Sequence, residues 1–157
     1  MNSRIKELIN PLPAYKILHV SDRIDGLTYD LKAILDEVDG ALSLVLYESS
    51  DVLEGVKVQY IPKYEEMFRA LPRDHDIVIF YNTFSKHQKQ EQMIKNAYHT
   101  LANAAFLIII EPKGVMDISL VKDRLETLEF RAPNEIELLE GYDLIMAKKM
   151  HMWGNGL

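Results

Sequence analysis

The chain has 157 residues, 48% of them apolar and 27% charged, with no cysteine and a formal net charge of −6. That length and apolar share exclude disorder and predict one domain over residues 1–157, and the missing cysteines exclude disulfides, zinc–thiolate centres, iron–sulfur clusters and thiol nucleophiles. The acidic balance argues against a dedicated nucleic-acid binder, no apolar run approaches the about 20 residues that span a membrane, and the opening stretch with Arg4, Lys6 and Glu7 lacks an apolar h-region, so a cytoplasmic protein is expected.

Residues 1–13 read as an N-terminal helix and a lead-in broken by Pro11 and Pro13. Tyr15 to Val20 follows as a buried strand. Leu27, Leu31, Ile34, Leu35 and Val38 recur with helical spacing, with Asp25 as the N-cap. Gly40 stands where a helix C-terminus takes a left-handed residue. Leu42 to Tyr47 is the second strand and Val56 to Ile61 the third. Only Glu48 to Gly55 joins these two, whereas a parallel crossover usually takes a dozen or more residues; the third strand is therefore either reached by a single helical turn or antiparallel. Tyr64, Met67, Phe68 and Leu71 mark a short helix stopped by Pro72.

Asp76 to Tyr81 is a buried strand. Ser85 with Gln88 forms a capping box opening a helix with Met93, Ile94, Ala97, Tyr98 and Leu101 on one face. Ala105 to Ile110 is a continuous apolar run, so both its faces are covered, as in a central parallel strand. Ile118, Val121, Leu125 and Leu128 give another helix. Glu135 to Leu139, the turn at Glu140 and Gly141, and Tyr142 to Ala147 then read as an antiparallel hairpin. The class is α/β: a doubly wound, mostly parallel sheet with a C-terminal antiparallel hairpin. Ligands on such sheets sit at the carboxyl ends of the strands, here Ser21 to Gly26, Glu48 to Asp51, Tyr81 to Ser85 and Glu111 to Gly114.

Three stretches carry a family resemblance: Asp76 to Asn82, Leu101 to Pro112, and Leu128 to Phe130 continuing to Tyr142 to Lys149. From Tyr15 to Lys149 the order of elements resembles a class I S-adenosylmethionine-dependent methyltransferase, a Rossmann-like family. The resemblance implies S-adenosylmethionine as cofactor and Ser21, Asp22, Arg23, Gly26, Glu48, Tyr81 and Asn82 as its contacts, with Glu48 receiving the ribose hydroxyls. The first loop is degenerate. His19 stands at the family's acidic position, Ser21 and Arg23 replace its first two glycines, and Gly26 is out of step. Gln59 to Pro62 lacks the acidic residue that meets adenine. Tyr81 to Phe84 resembles an Asn/Asp-Pro-Pro-aromatic motif without its prolines. Catalysis in this class is positioning of acceptor and sulfonium, so no catalytic residue is assigned.

Read singly, Glu48 is a ligand carboxylate or a solvated loop residue. Ser21, Asp22 and Arg23 form an anion-binding cluster or a self-satisfied ion pair with a helix cap. His19 is expected in the core and hydrogen-bonded, His87 and His99 exposed on a helix, and His75 in a turn. Lys86, His87, Lys89 and Lys95 read as a solvated helix face; Lys148, Lys149 and His151 form a second basic group. No histidine spacing suits a metal, and no P-loop or G-x-S-x-G occurs. Three functions follow: a methyltransferase-like domain of unknown acceptor, with a loop that no longer binds S-adenosylmethionine; a non-catalytic binding or assembly module; and a receiver-like domain, which the strand ending in Ser21 and Asp22 resembles. An unknown small molecule or protein is the expected partner, and a homo-oligomer is compatible with all three.

Overall fold

The computed structural model describes residues 3–150. A 3-10 turn, Ser3–Glu7, leads into β1 (Lys16–Ser21), α1 (Gly26–Asp36), β2 (Ala41–Tyr47), β3 (Lys57–Ile61), β4 (His75–Tyr81), α2 (Gln90–Thr100), β5 (Leu101–Pro112), α3 (Ile118–Thr127), β6 (Phe130–Glu135) and β7 (Tyr142–Lys149). The strands form one seven-stranded sheet in the order β3-β2-β1-β4-β5-β7-β6. The first five run parallel, while β7 pairs antiparallel with both β5 and β6. The order reverses between β1 and β4, which places a crevice at the carboxyl ends of those strands.

Alternation along each strand divides the core into two layers. On one face, Leu18, Val20, Val78, Phe80, Leu107 and Ile109 meet α2 and α3 through Met93, Ile94, Ala97, Val121 and Leu125. On the other, Ile17, Ile77, Ile79, Ile108 and Ile110 meet Leu27, Leu31, Ile34 and Leu35 of α1, with Ile5, Leu138 and Leu139 beside them. Strands covered on both faces are the reason these segments read as unbroken apolar runs.

Several expectations need correction. β3 is parallel to β2, although no helix joins them; the link closes with a turn in which the Val56 amide donates to the Leu53 carbonyl. Residues 64–71 form no helix; Tyr64, Met67 and Phe68 pack inward on a chain whose backbone is bonded by the Gln59 and Asn96 side chains instead, and Leu71 faces solvent. Ser85 lies in a turn and caps nothing; α2 begins at Gln90, where Lys89 as N-cap makes no side-chain cap bond. The strand placed at 135–139 lies at Phe130–Glu135 instead, and 136–139 is irregular chain whose leucines fill the core beside α1. Asp39, with φ 55°, is the left-handed residue after α1. Gly40 serves close approach, since a Cβ there would lie 2.5 Å from the Tyr15 carbonyl oxygen and 2.7 Å from Leu35 Cδ2.

The receiver-like reading fails on topology, because its doubly wound order, 2-1-3-4-5, has no place for an antiparallel strand between β5 and β6. No helix among the described residues is long and apolar enough to cross a membrane.

Candidate functional site

The turn from β1 to α1 is built from its own side chains. Ser21 is buried; its hydroxyl accepts from the Arg23 amide at 3.2 Å and donates to the Arg23 carbonyl at 2.8 Å. The Ile24 amide donates to Asp51 Oδ2 at 2.9 Å, a bond reaching across from the loop after β2. Asp51 is in turn held by the Tyr60 hydroxyl, which donates to its carbonyl at 2.6 Å. Asp25 and Thr28 form a reciprocal capping box: the Leu27 amide donates to Asp25 Oδ1 and the Asp25 amide to Thr28 Oγ1. Gly26 is the first residue of α1 and lies behind this box.

The electrostatics of the turn centre on Asp22. Arg23 Nε donates to its Oδ1 at 2.9 Å, Arg23 Nη2 to its Oδ2 at 3.0 Å, and Lys86 Nζ to the same Oδ2 at 2.9 Å. Burial pushes the Asp22 carboxyl up, but the bonds from Arg23 and Lys86 outweigh it and hold the group below the ordinary carboxylate range. The Lys86 ammonium also lies 5.1 Å above the Tyr64 ring, which itself stacks on Tyr47 at 4.9 Å. Asp22 thus pairs with Arg23 and Lys86, while the cap of α1 is Asp25 rather than any of Ser21, Asp22 and Arg23.

At the end of β4, Tyr81 is buried and gives its proton to Asp25 Oδ2 at 2.8 Å. The Tyr142 hydroxyl lies 3.2 Å from that of Tyr81, and with the Tyr81 proton already committed it is the donor of the pair. Asn82 is left-handed, φ 61°, and its amide donates to the Ile110 carbonyl. Its side-chain oxygen is buried and has no hydrogen-bond partner. Glu48, φ 50°, is exposed at the end of β2, its amide bonded to the Ile61 carbonyl.

A cleft of about 350 Å³ opens between these strand ends, lined by Asp22, Arg23, Asn82, Lys86, Glu111 and Tyr142 among others. Of the residues expected from the sequence, Asp22, Arg23 and Asn82 line it. Ser21 and Tyr81 support it from beneath through the bonds above, and Gly26 and Glu48 are not among its walls. Lys86 and Tyr142 were missed as wall residues, and Glu111 was placed only in general terms, at the carboxyl end of its strand. Glu111 carried the one available signal, a charge ending an unbroken apolar strand. It is 2% exposed, accepts from the Ser85 amide at 3.2 Å, and burial pushes its carboxyl above the ordinary range.

The remaining candidates sort differently from expectation. His19 is in the core as expected but not hydrogen-bonded: neither ring nitrogen has a partner, the ring stacks on Tyr81 at 5.7 Å, and burial pushes its pKa down to about 3. His87 is buried rather than exposed, bonded to the Glu66 carbonyl and the Lys89 amide. His75 is a buried strand residue against Thr100, and His99 is exposed as expected. The second basic group is no surface patch. Lys149 turns inward and donates to the Tyr98 and Leu101 carbonyls at the end of α2, at 2.7 Å each; His151 lies outside the described residues. No cluster of metal-ligating side chains occurs among the described residues.

No protein-family profile matches the chain, and no curated protein matches it in sequence. Solved structures do match it in shape. A S-adenosylmethionine-dependent methyltransferase from Aquifex aeolicus superposes with a TM-score of 0.67 at 17% identity, over 92% of this chain and 87% of its own. The fold is that of the class I methyltransferases. A chain from the complex between the Haloferax volcanii Trm112 methyltransferase activator and a methyltransferase gives 0.68 at 8% identity, over 89% and 84% of the two chains. The methyltransferase fold also serves other chemistry: the [4+2]-cyclase SpnF superposes at 0.64 with 8% identity, over 94% and 80% of the two chains. At such identities the likeness is one of fold, and function has to be argued from the site.

Proposed function

We propose that the chain is a non-catalytic binding module built on the methyltransferase fold, its cofactor turn closed by its own side chains. One observation carries this reading. The amides of Arg23, Ile24, Asp25 and Leu27 donate to the side chains of Ser21, Asp51, Thr28 and Asp25. Those donors are already spent, and no glycine precedes Gly26 in the turn to let a cofactor approach the backbone closely. An anion at the α1 N-terminus would find Asp25 already there. S-adenosylmethionine therefore fits this turn poorly, and Arg23 and Lys86 add positive charge where its sulfonium would lie. The partner is a small molecule or another protein; one neighbour of the same fold was solved in complex with an activator protein.

Methyl transfer is the second reading, and Glu48 favours it. An exposed carboxylate at the end of β2 has the chemistry to accept from two adjacent ribose hydroxyls. Calorimetric titration of the purified, ligand-free protein with S-adenosylmethionine and S-adenosylhomocysteine at moderate salt decides between the two. The expected result is no saturable binding. Saturation by S-adenosylmethionine at low micromolar concentration, about −8 kcal/mol, overturns the proposal. In that case Glu48→Ala should weaken binding by about 1.5–3 kcal/mol, roughly ten- to hundredfold, the cost of a lost charge-assisted hydrogen bond.

A further inference from the structure

The segment joining β3 to β4, residues 62–74, forms no helix, and other elements hold it down like a strap. Its second half is pinned by α2 and β3. The Asn96 side chain donates to the Phe68 carbonyl at 2.7 Å, the Thr100 hydroxyl donates to the Leu71 carbonyl at 2.6 Å, and the Gln59 amide group bonds both backbone groups of Arg69. Its first half is pinned from the end of β2 and from the loop before α2. The Gln88 amide donates to the Tyr64 carbonyl at 2.8 Å, and the Glu66 carbonyl accepts from the Tyr47 hydroxyl at 2.6 Å and from His87 Nε2 at 3.0 Å.

These bonds fix the protonation state of His87, which is 3% exposed. The Lys89 amide can only donate, so His87 Nδ1 accepts from it at 2.9 Å, and the single proton of the neutral ring sits on Nε2, facing Glu66. A second proton on Nδ1 would set N–H against N–H and strip the acceptor from Lys89, the N-cap residue of α2. Gln88 lies between the two, so the loop cannot turn away without moving its bond to Tyr64. His75 is built the other way. The Thr100 hydroxyl spends its one proton on Leu71, so His75 Nδ1 already donates to Thr100 Oγ1, and protonating that ring breaks no bond there.

We infer that His87 is an acid-released latch: neutral, it fastens residues 62–68 to the loop before α2, and protonated, it lets them go. The titratable groups around the ring are Lys86 and Lys89 on its own loop, Tyr64 and Glu66 on the strap, Tyr47 on β2, and Glu91, Lys95 and Arg124 across the cleft beside the start of α2. Lys86 is held by Asp22, Glu91 pairs with Lys95 at 3.4 Å, and Arg124 donates to Gln90 Oε1 at 2.8 Å. Burial pushes the ring below its ordinary value of 6.5, the bond to the Glu66 carbonyl pulls it partly back, and the Lys89 charge pushes it down again. The released ring titrates at the ordinary value and the latched ring below it. Latching is therefore whole above 6.5 and weakens by up to about tenfold per pH unit below it, until the latched ring itself titrates. Release uncovers Met67 and Phe68, which the strap packs against the core, and widens the cleft of about 640 Å³ between the strap and β1, β2 and β3.

The test is amide hydrogen exchange by NMR on the nitrogen-15-labelled full chain between pH 7.5 and pH 5, each rate corrected for the intrinsic pH dependence of exchange. The Gln88 and Lys89 amides, both bonded in the latched form, are the reporters. Their protection should be flat down to about pH 7 and fall at least about threefold by pH 5. At every pH it should stay below that of the central strand amides of Leu107 and Ile109, which marks a local opening rather than unfolding of the chain. His87→Gln, which takes up no proton, should make the reporters' protection independent of pH, whether its amide holds the strap shut or leaves it open. The imidazole nitrogen signals of the unsubstituted chain at pH 7.5 should place the His87 proton on Nε2. The inference is overturned if the reporters' protection does not fall, if it falls equally in His87→Gln, if it matches that of the central strands throughout, or if the His87 proton sits on Nδ1.

Discussion

His19 makes the fold acid-sensitive in a way that one substitution removes. The ring is fully buried between strands with both nitrogens unpaired, and burial lowers its pKa from 6.5 to about 3. In the unfolded chain the imidazole takes up a proton as pH falls below 6.5, while in the folded chain it stays neutral down to about 3. Folding stability is thus whole above the unfolded value and lost as pH falls from it toward the folded one. Between about pH 7.5 and pH 5 the loss from this residue comes to about 2 kcal/mol, and any folded value below about 4 gives the same figure. His19→Leu removes the titration and the two orphaned nitrogens together. Urea unfolding at both pH values should show the variant equal to the parent or up to about 1 kcal/mol more stable at the higher pH, and about 2–3 kcal/mol more stable at the lower. His75 and His87, which burial also lowers, act in both proteins and cancel. A variant that loses as much stability on acidification as the parent would refute the argument.

Lys149→Met should cost about 1–3 kcal/mol in chemical denaturation, since it strips the donor from the Tyr98 and Leu101 carbonyls and the cation from the C-terminal end of α2; an unchanged midpoint would show that the ammonium contributes nothing there. Gly40→Ala forces a methyl against the Tyr15 carbonyl and the Leu35 side chain, so overpacking of about 1–3 kcal/mol should lower the melting temperature by several degrees. Gly55→Ala, whose Cβ would meet open space at a φ of +78°, should cost no more than about 1–2 kcal/mol, the penalty of the left-handed conformation alone.

The parts of the fold that were legible in sequence are those buried on both faces. β1, β2, β4 and the second half of β5 announce themselves because no residue between them need be polar. The edge strand β6 does not. Its sequence, Phe-Arg-Ala-Pro-Asn-Glu, buries only Phe130 and Pro133, so the apolar stretch just after it, which packs as irregular chain, looks more like a strand than the strand itself. Tyr64, Met67, Phe68 and Leu71 keep helical spacing, but the segment is held by tertiary bonds: Arg69 receives both ends of the Gln59 amide, and Phe68 is tied through the Asn96 side chain. The site was legible only where it is local. Asp25 capping α1 follows from spacing, whereas Lys86 on Asp22 joins residues 64 apart and Asp51 on Ile24 joins residues 27 apart. No pattern along the chain encodes such meetings; they exist because parallel strands deliver their ends to the same place.

The link between β2 and β3 divides into a half tied by side-chain bonds and a half held only by the buried Leu53 and one turn bond. Its first half is fixed through Ser49, whose hydroxyl accepts from the Asp51 amide, and through the bonds of Asp51 to Ile24 and Tyr60. Beyond it, Val52 stands in solvent and Gly55 has open space beside it. Lengthening a surface loop costs only about 0.6 kcal/mol per doubling. Between Glu54 and Gly55 the chain therefore offers a grafting point: a tag, a fluorophore or an entire guest domain inserted there would give up the single turn bond from Val56 to Leu53 and hang beyond the sheet edge, leaving both the Asp51 tether and the β3 ladder in register.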